Sequence, residues 1–140
     1  MSRAPFPDPT PDDTPLQPWL AAERLDVYRV ALEFLSFAIV LGRGRIAAAL
    51  RDQLERASSS IVLNVAEGAG RVSGRDKAHF YVIARGSATE CAAILDVLAR
   101  QGRIGAIDHD RGRELLLRIV QMLSRLNSRF TAKSDRVTPA

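Results

Sequence analysis

Residues 51–70 read RDQLERASSSIVLNVAEGAG and residues 71–90 read RVSGRDKAHFYVIARGSATE. Leu50, Leu54, Ala57, Ile61 and Val65 recur at steps of three and four, which puts them on one face of a helix. Gln53, Asn64 and Glu67 lie in or beside that face, where a simple core would carry Leu. Gly68 and Gly70 are expected to end this helix, because glycine reaches the φ > 0 conformation of a C-cap at low cost. Ser73 followed by Asp76 is an approximate capping box that opens a second helix. Phe80, Ala84, Ser87, Cys91, Leu95 and Leu98 give that helix its own apolar stripe. Two helices joined by so short a turn pack as an antiparallel hairpin.

Working outward, 140 residues with 46% hydrophobic content suffice for one domain with a buried core. Aromatics are few while Ala, Leu and Arg abound, which favours helices over sheets. The first helix is expected from Pro18 to Leu41, with Leu25, Tyr28, Leu32, Leu35 and Ala38 as its stripe. Val27, Ala31, Phe34 and Leu41 widen that stripe. The apolar run 34–41 falls well short of the roughly twenty residues of a membrane span. It is too apolar on too many sides for a lone bundle, so it predicts self-association. Gly42-Arg43-Gly44 is a tight turn before a second helix, Arg45 to Glu67, and the third runs from Gly74 to Arg100. Gly102 and Gly105 break the chain again. Asp108 is then expected to cap a fourth helix, with Ile107 as its hydrophobic staple. Leu116, Ile119, Val120, Leu123, Leu126 and Phe130 are its core stripe. The predicted fold is all-α, an antiparallel up-down-up-down four-helix bundle over residues 19–131. Residues 1–18, rich in Pro and Asp, read as a disordered tail without the apolar region of a signal peptide, and residues 132–140 as a frayed end.

A family resemblance rests on the same central stretch. Gln53, Arg56-Ala57, Ser60-Ile61, Asn64, Ala66-Glu67-Gly68, Gly70-Arg71 and Ser73 resemble the signature of the 23S rRNA intervening-sequence (S23) proteins. The likeness continues through Phe80, Ile83-Ala84, Gly86-Ser87-Ala88 and Glu90, and more faintly through Leu25-Asp26-Val27-Tyr28 and Ala31. Lys77 departs from it, standing where members often carry an aromatic residue, and the 42–49 link lacks the usual proline. The resemblance implies a four-helix bundle of bacterial origin. The family also includes relatives of the accessory subunits of diversity-generating retroelements, which are basic, pentameric and bind nucleic acid. It thereby implies a homopentamer and an RNA or DNA partner.

Asn64, Glu67 and Glu90 invite a catalytic reading, since general acid–base work uses carboxyls of separated pKa around a cavity. The plainer reading makes Gln53, Arg56, Asn64, Glu67 and Glu90 a buried or half-buried polar network that fixes helix register. That reading is preferred, and no enzyme activity is expected. His79 and His109 sit on different elements, no Glu-x-x-His motif occurs, and Cys91 has no neighbouring base, so no metal, cofactor or small-molecule substrate is expected. A single cysteine fits a reduced cytoplasm. Ser58-Ser59-Ser60 and mid-helix Gly86 read as small residues for close backbone approach.

Charge is the remaining signal. The net charge is +4 with a sequence pI of about 10.0. Residues 42–85 carry eight basic against four acidic residues, and residues 100–140 nine against four. Most are Arg, whose fork suits phosphate. Arg43, Arg45, Arg51, Arg71, Arg75 and Lys77 are the candidate nucleic-acid contacts, in two patches about 33 Å apart at the ends of the second helix. No aromatic platform accompanies them, so binding would read backbone charge and not sequence. An oligomeric protein-interaction scaffold without nucleic acid is the alternative.

Overall fold

The computed structural model describes residues 20–137, with side-chain surroundings through residue 131; the expected leader at 1–18 lies outside the described residues. Four helices carry the fold: α1 (Asp26–Leu41), α2 (Ala48–Gly70), α3 (Gly74–Arg100) and α4 (Ala106–Val137), preceded by a single 3-10 turn at Ala21–Arg24. α2 packs against α1 and α3, and α4 against α1 and α3, while the diagonal pairs make no close backbone approach. Residue pairing gives the directions. Ser60 meets Ser87 and Gln53 meets Glu90, so α2 and α3 run oppositely. Tyr81 meets Phe130 and Asp96 meets His109, reversing α4 against α3. Glu33 meets Arg111, and Asp26 and Val27 line one depression with Met122 and Arg125, so α1 and α4 run oppositely. The protein is an all-α four-helix bundle, and these pairings make it up-down-up-down.

The expected first helix is split. At Leu25 the backbone is extended (φ −91°, ψ 127°), and α1 begins only with Asp26, whose carboxylate suits a helix N-terminus. The break lets Ala22 turn inward and become buried. The buried face of α1 is Val27, Val30, Ala31, Phe34 and Ala38, rotated from the expected stripe, with Leu32 left partly exposed. A helix apolar on several sides does not declare its core face by period alone. On α2 the expectation holds, with Leu54, Ala57, Ile61 and Val65 all buried. Buried Ser58 donates to the Glu55 carbonyl (3.1 Å), which satisfies its hydroxyl inside the helix.

Gly68 and Gly70 do not end α2 in a left-handed cap. Helix continues through Gly70, and the positive-φ glycine among the described residues is Gly102 (φ 70°), which closes α3. Gly68 is required for a different reason. A Cβ there would stand 2.8 Å from Cε1 of buried Tyr81, a ring with nowhere to go. Arg71 is extended, and Ser73 caps α3 by accepting from the Asp76 amide (3.1 Å). Lys77 then reaches back one turn. Its Nζ donates to the carbonyls of Ala69 (2.7 Å) and Gly68 (3.3 Å), placing a cation on the negative end of α2.

α4 starts at Ala106, with the Gly105 carbonyl accepting from the His109 amide (3.0 Å). Asp108 therefore lies inside the first turn and is not the cap. Ile107 is 86% exposed and staples nothing. The helix runs to Val137, past the expected end at 131, with no proline to stop it before Pro139. Gly86, expected under a neighbouring backbone, has open space around its Cβ position.

Two substitutions test this hairpin in urea melts. Gly68→Ala is expected to cost about 1–3 kcal/mol by overpacking against Tyr81. Lys77→Met keeps the stem but removes the charge from two helix-end carbonyls, with an expected loss of about 1 kcal/mol. Wild-type stability in either variant would refute the corresponding contact.

Candidate nucleic-acid interface

The up-down topology places the α1–α2 link and the α3–α4 link at one end of the bundle. Segments 42–51 and 100–105 therefore meet, bringing together Arg43, Arg45, Arg51, Arg100 and Arg103 with no acidic residue in either segment. Arg51 is half-buried and already committed: its Nε donates to the Gly42 carbonyl (2.6 Å) and its Nη2 to the Ile46 carbonyl (3.0 Å). These bonds hold the link and fix a guanidinium there. Between the links lies a depression of about 620 Å³ lined by Gly44, Arg45, Ile46, Ala47, Arg51, Gln101 and Arg103. Arg43, Arg45, Arg100 and Arg103 are exposed.

The opposite end differs from the expectation drawn from sequence. Arg71 is paired with Glu67 (2.6 Å) and stacks 4.7 Å above the Phe80 ring. Lys77 is bound to helix carbonyls, and its Nζ lies 5.7 Å from the Phe130 ring centroid. Arg75 is exposed and makes no ion pair among the described residues. Glu23, Asp26, Glu67 and Asp76 share this end, so its charge is mixed. Of the six expected contacts, Arg43 and Arg45 sit free on the positive end, Arg51 is fixed there, Arg75 is exposed at the mixed end, and Arg71 and Lys77 are engaged within the fold. The sequence reading missed Arg100 and Arg103. Their signal was topological: in an up-down bundle the third link must return to the end that holds the first.

The expected polar network resolves into separate pieces along the α2–α3 groove. Gln53 donates to Glu90 (3.1 Å), Asn64 donates to the Ser60 carbonyl (2.9 Å) and hydroxyl (3.0 Å), and Ser60 meets Ser87 across the helices (2.9 Å). Glu67 belongs to Arg71, and Arg56 lines the groove without a hydrogen-bond partner among the described residues. Gln53, Arg56, Glu67 and Glu90 are exposed and only Asn64 is half-buried, so this is a surface ladder and not a core network. The cross-helix pin is Ser60 with Ser87, which the sequence reading placed among small packing residues and an apolar stripe. Glu90 faces Gln53, fourteen residues and so about 21 Å along α2 from Glu67. The two carboxylates cannot share a substrate.

Burial, and next the Glu90 carboxylate, push the Cys91 thiol up to about 12, which keeps it neutral and unreactive at physiological pH. His109 binds Asp96 (2.7 Å), tying α4 to α3, and His79 stands edge-on to Phe80. Among the described residues no three His, Cys, Asp or Glu side chains are grouped to hold a metal ion, and no helix is long and apolar enough to cross a membrane.

No curated protein matches this chain. Among solved structures, it is similar to a protein of unknown function from the S23 ribosomal protein family of Bacteroides thetaiotaomicron VPI-5482. The identity is 22%, the match covers 72% of this chain and 97% of that one, and the TM-score is 0.69. At that identity the likeness is one of fold. The model of the 23S rRNA-intervening sequence proteins matches residues 23–125, which takes in all of α1, α2 and α3, the three links and most of α4. With that span matched and the bundle in place, the chain belongs to the 23S rRNA-intervening sequence protein family.

Proposed function

We propose that the protein is a non-enzymatic subunit of a closed homo-oligomeric ring, five-membered as the resemblance implies, that binds the backbone of RNA or DNA in the cytoplasm without reading sequence. The observation that carries the binding reading is the end formed by the two links, with five arginines and no acid in the segments that build it. Arginine forks without carboxylate partners suit phosphate, and no aromatic side chain in these segments offers a stack for bases.

Exposed apolar side chains support the ring. α1 presents Leu32, Ile39 (46% exposed) and Val40 (61%), and the α2–α3 side presents Leu63, Val82 and Ile83 around open Gly86. A glycine in mid-helix costs about 1 kcal/mol against Ala, and nothing inside this subunit requires it. α1 and α3 are diagonal, so these are two different faces of the bundle. Joining one to the other gives a head-to-tail contact, which closes into a ring when the rotation between subunits divides a full turn. Repeating the positive end around an axis multiplies weak phosphate contacts by about a hundredfold or more.

Two measurements follow. Light scattering should show an oligomer, with Val40→Asp and Ile83→Asp variants each monomeric and their mixture dimeric, because only one intact contact remains. A wild-type monomer at micromolar concentration would remove the ring. In titrations with unrelated DNA and RNA oligonucleotides, affinity should be similar for all and fall by about tenfold or more between roughly 50 and 200 mM salt. Arg43→Glu/Arg100→Glu should abolish binding and Arg71→Glu should not. Absence of binding at low salt would leave the protein-interaction scaffold as the better reading.

A further inference from the structure

The depression between the two links is distinguished by what lines it. Arg45 and Arg51 come from the first link and the start of α2, Arg103 from the second link, and Gln101 adds an amide. No carboxylate lines it. Three other surface depressions mix their charges: Arg56 with Asp52 and Glu55, Arg56 with Glu90, Arg24 and Arg125 with Asp26. Among the described residues, Arg29 pairs with Asp26, Arg71 with Glu67, and Arg111 with Glu33 and Glu114, whereas none of the arginines of this depression pairs with an acid. Three guanidinium groups converging without an acid repel one another, and an anion relieves that repulsion.

Arg51 gives the depression a fixed wall. Its bonds to the Gly42 and Ile46 carbonyls hold the guanidinium in place, and they leave three of the five N–H donors of such a group uncommitted. Ala47, at the N-cap of α2, supplies no side-chain cap, and the first turn of α2 holds no acid. The backbone there adds positive potential to the arginines without opposing it. Small Gly44 and Ala47 keep the wall low, and about 620 Å³ accommodates a phosphate with its attached sugar.

We infer that this depression is a phosphate-binding site in which Arg45, Arg51 and Arg103 hold one phosphate oxyanion per subunit. The biological ligand, a nucleic-acid phosphate, rests on the reading proposed above; the phosphate chemistry itself does not. Arg51 is a positioning as well as a binding residue, so the test leaves it intact.

The experiment is calorimetric titration of the full chain with inorganic phosphate at low salt. It uses wild type, Arg45→Gln/Arg103→Gln, and Arg75→Gln/Arg125→Gln at the opposite end, with circular dichroism confirming equal helicity. Phosphate affinity is expected to fall by about tenfold or more in the first pair variant and to stay at the wild-type value in the second. No phosphate binding by wild type, or an equal loss in both variants, would overturn the site. A 5′-phosphorylated tetranucleotide and its 5′-hydroxyl twin then compete with phosphate. Displacement by the phosphorylated form alone identifies a terminal phosphate, and equal displacement an internal phosphodiester; both support the site. Oligonucleotide binding that is unchanged in Arg45→Gln/Arg103→Gln would overturn this inference and leave general backbone binding standing. Phosphate binding in the depression with no oligonucleotide binding would do the reverse.

Discussion

The approach of α2 to α3 at Gly68 is the contact on which the rest of the bundle depends. Hydrogen in place of a side chain lets the Tyr81 ring lie against the α2 backbone, and no other residue fits there without moving that ring. Tyr81 in turn meets Phe130 of α4 (ring centroids 6.0 Å apart). One close approach thus sets the spacing of three helices. Lys77 secures the same corner from outside, its ammonium on the last carbonyls of α2 and within reach of the Phe130 ring. Burial of the Tyr81 ring raises its hydroxyl pKa through desolvation, as expected for a residue placed for packing.

From that corner the register of the hairpin runs outward through Ser60 with Ser87 and Gln53 with Glu90. The polar pairs decline in burial along the way, because the groove between α2 and α3 opens to solvent. Hydrogen bonds in such a place contribute modestly to stability, of order 1 kcal/mol or less each. Their use is to hold the outer faces of two helices in fixed relation. Leu63, Ile83 and Gly86 border that groove, and a fixed, low-relief surface is what a second subunit needs to pack against.

Electrostatics follow from topology in the same way. Helix sides carry balanced pairs such as Arg111 with Glu33, which link elements at little cost. The links are different. They carry arginine without acid, and antiparallel packing concentrates two of the three links at one end while the 71–73 turn lies at the other. A charge excess that looks diffuse along the chain becomes polar in space. In the proposed ring, polarity of this kind would make one rim cationic.

Periodicity and turn chemistry made the helices legible from sequence, because each depends on residues within a few positions of one another. Thus the face of α2, the Ser73 cap, the bounds of α3 and the number of helices all follow from local pattern. Arg43 and Arg45 were legible as free cations because they occupy a glycine-flanked link that no helix covers. What the sequence left undecided depended on partners far away in the chain. Gly68 looked like a cap until Tyr81 was placed above it, and Arg71 and Lys77 looked like phosphate ligands until Glu67 and the end of α2 claimed them. Arg100 and Arg103 belonged to no cluster until the third link returned to the first. Local geometry is written in neighbours; steric need, ion pairing and shared charge arise only when distant segments meet.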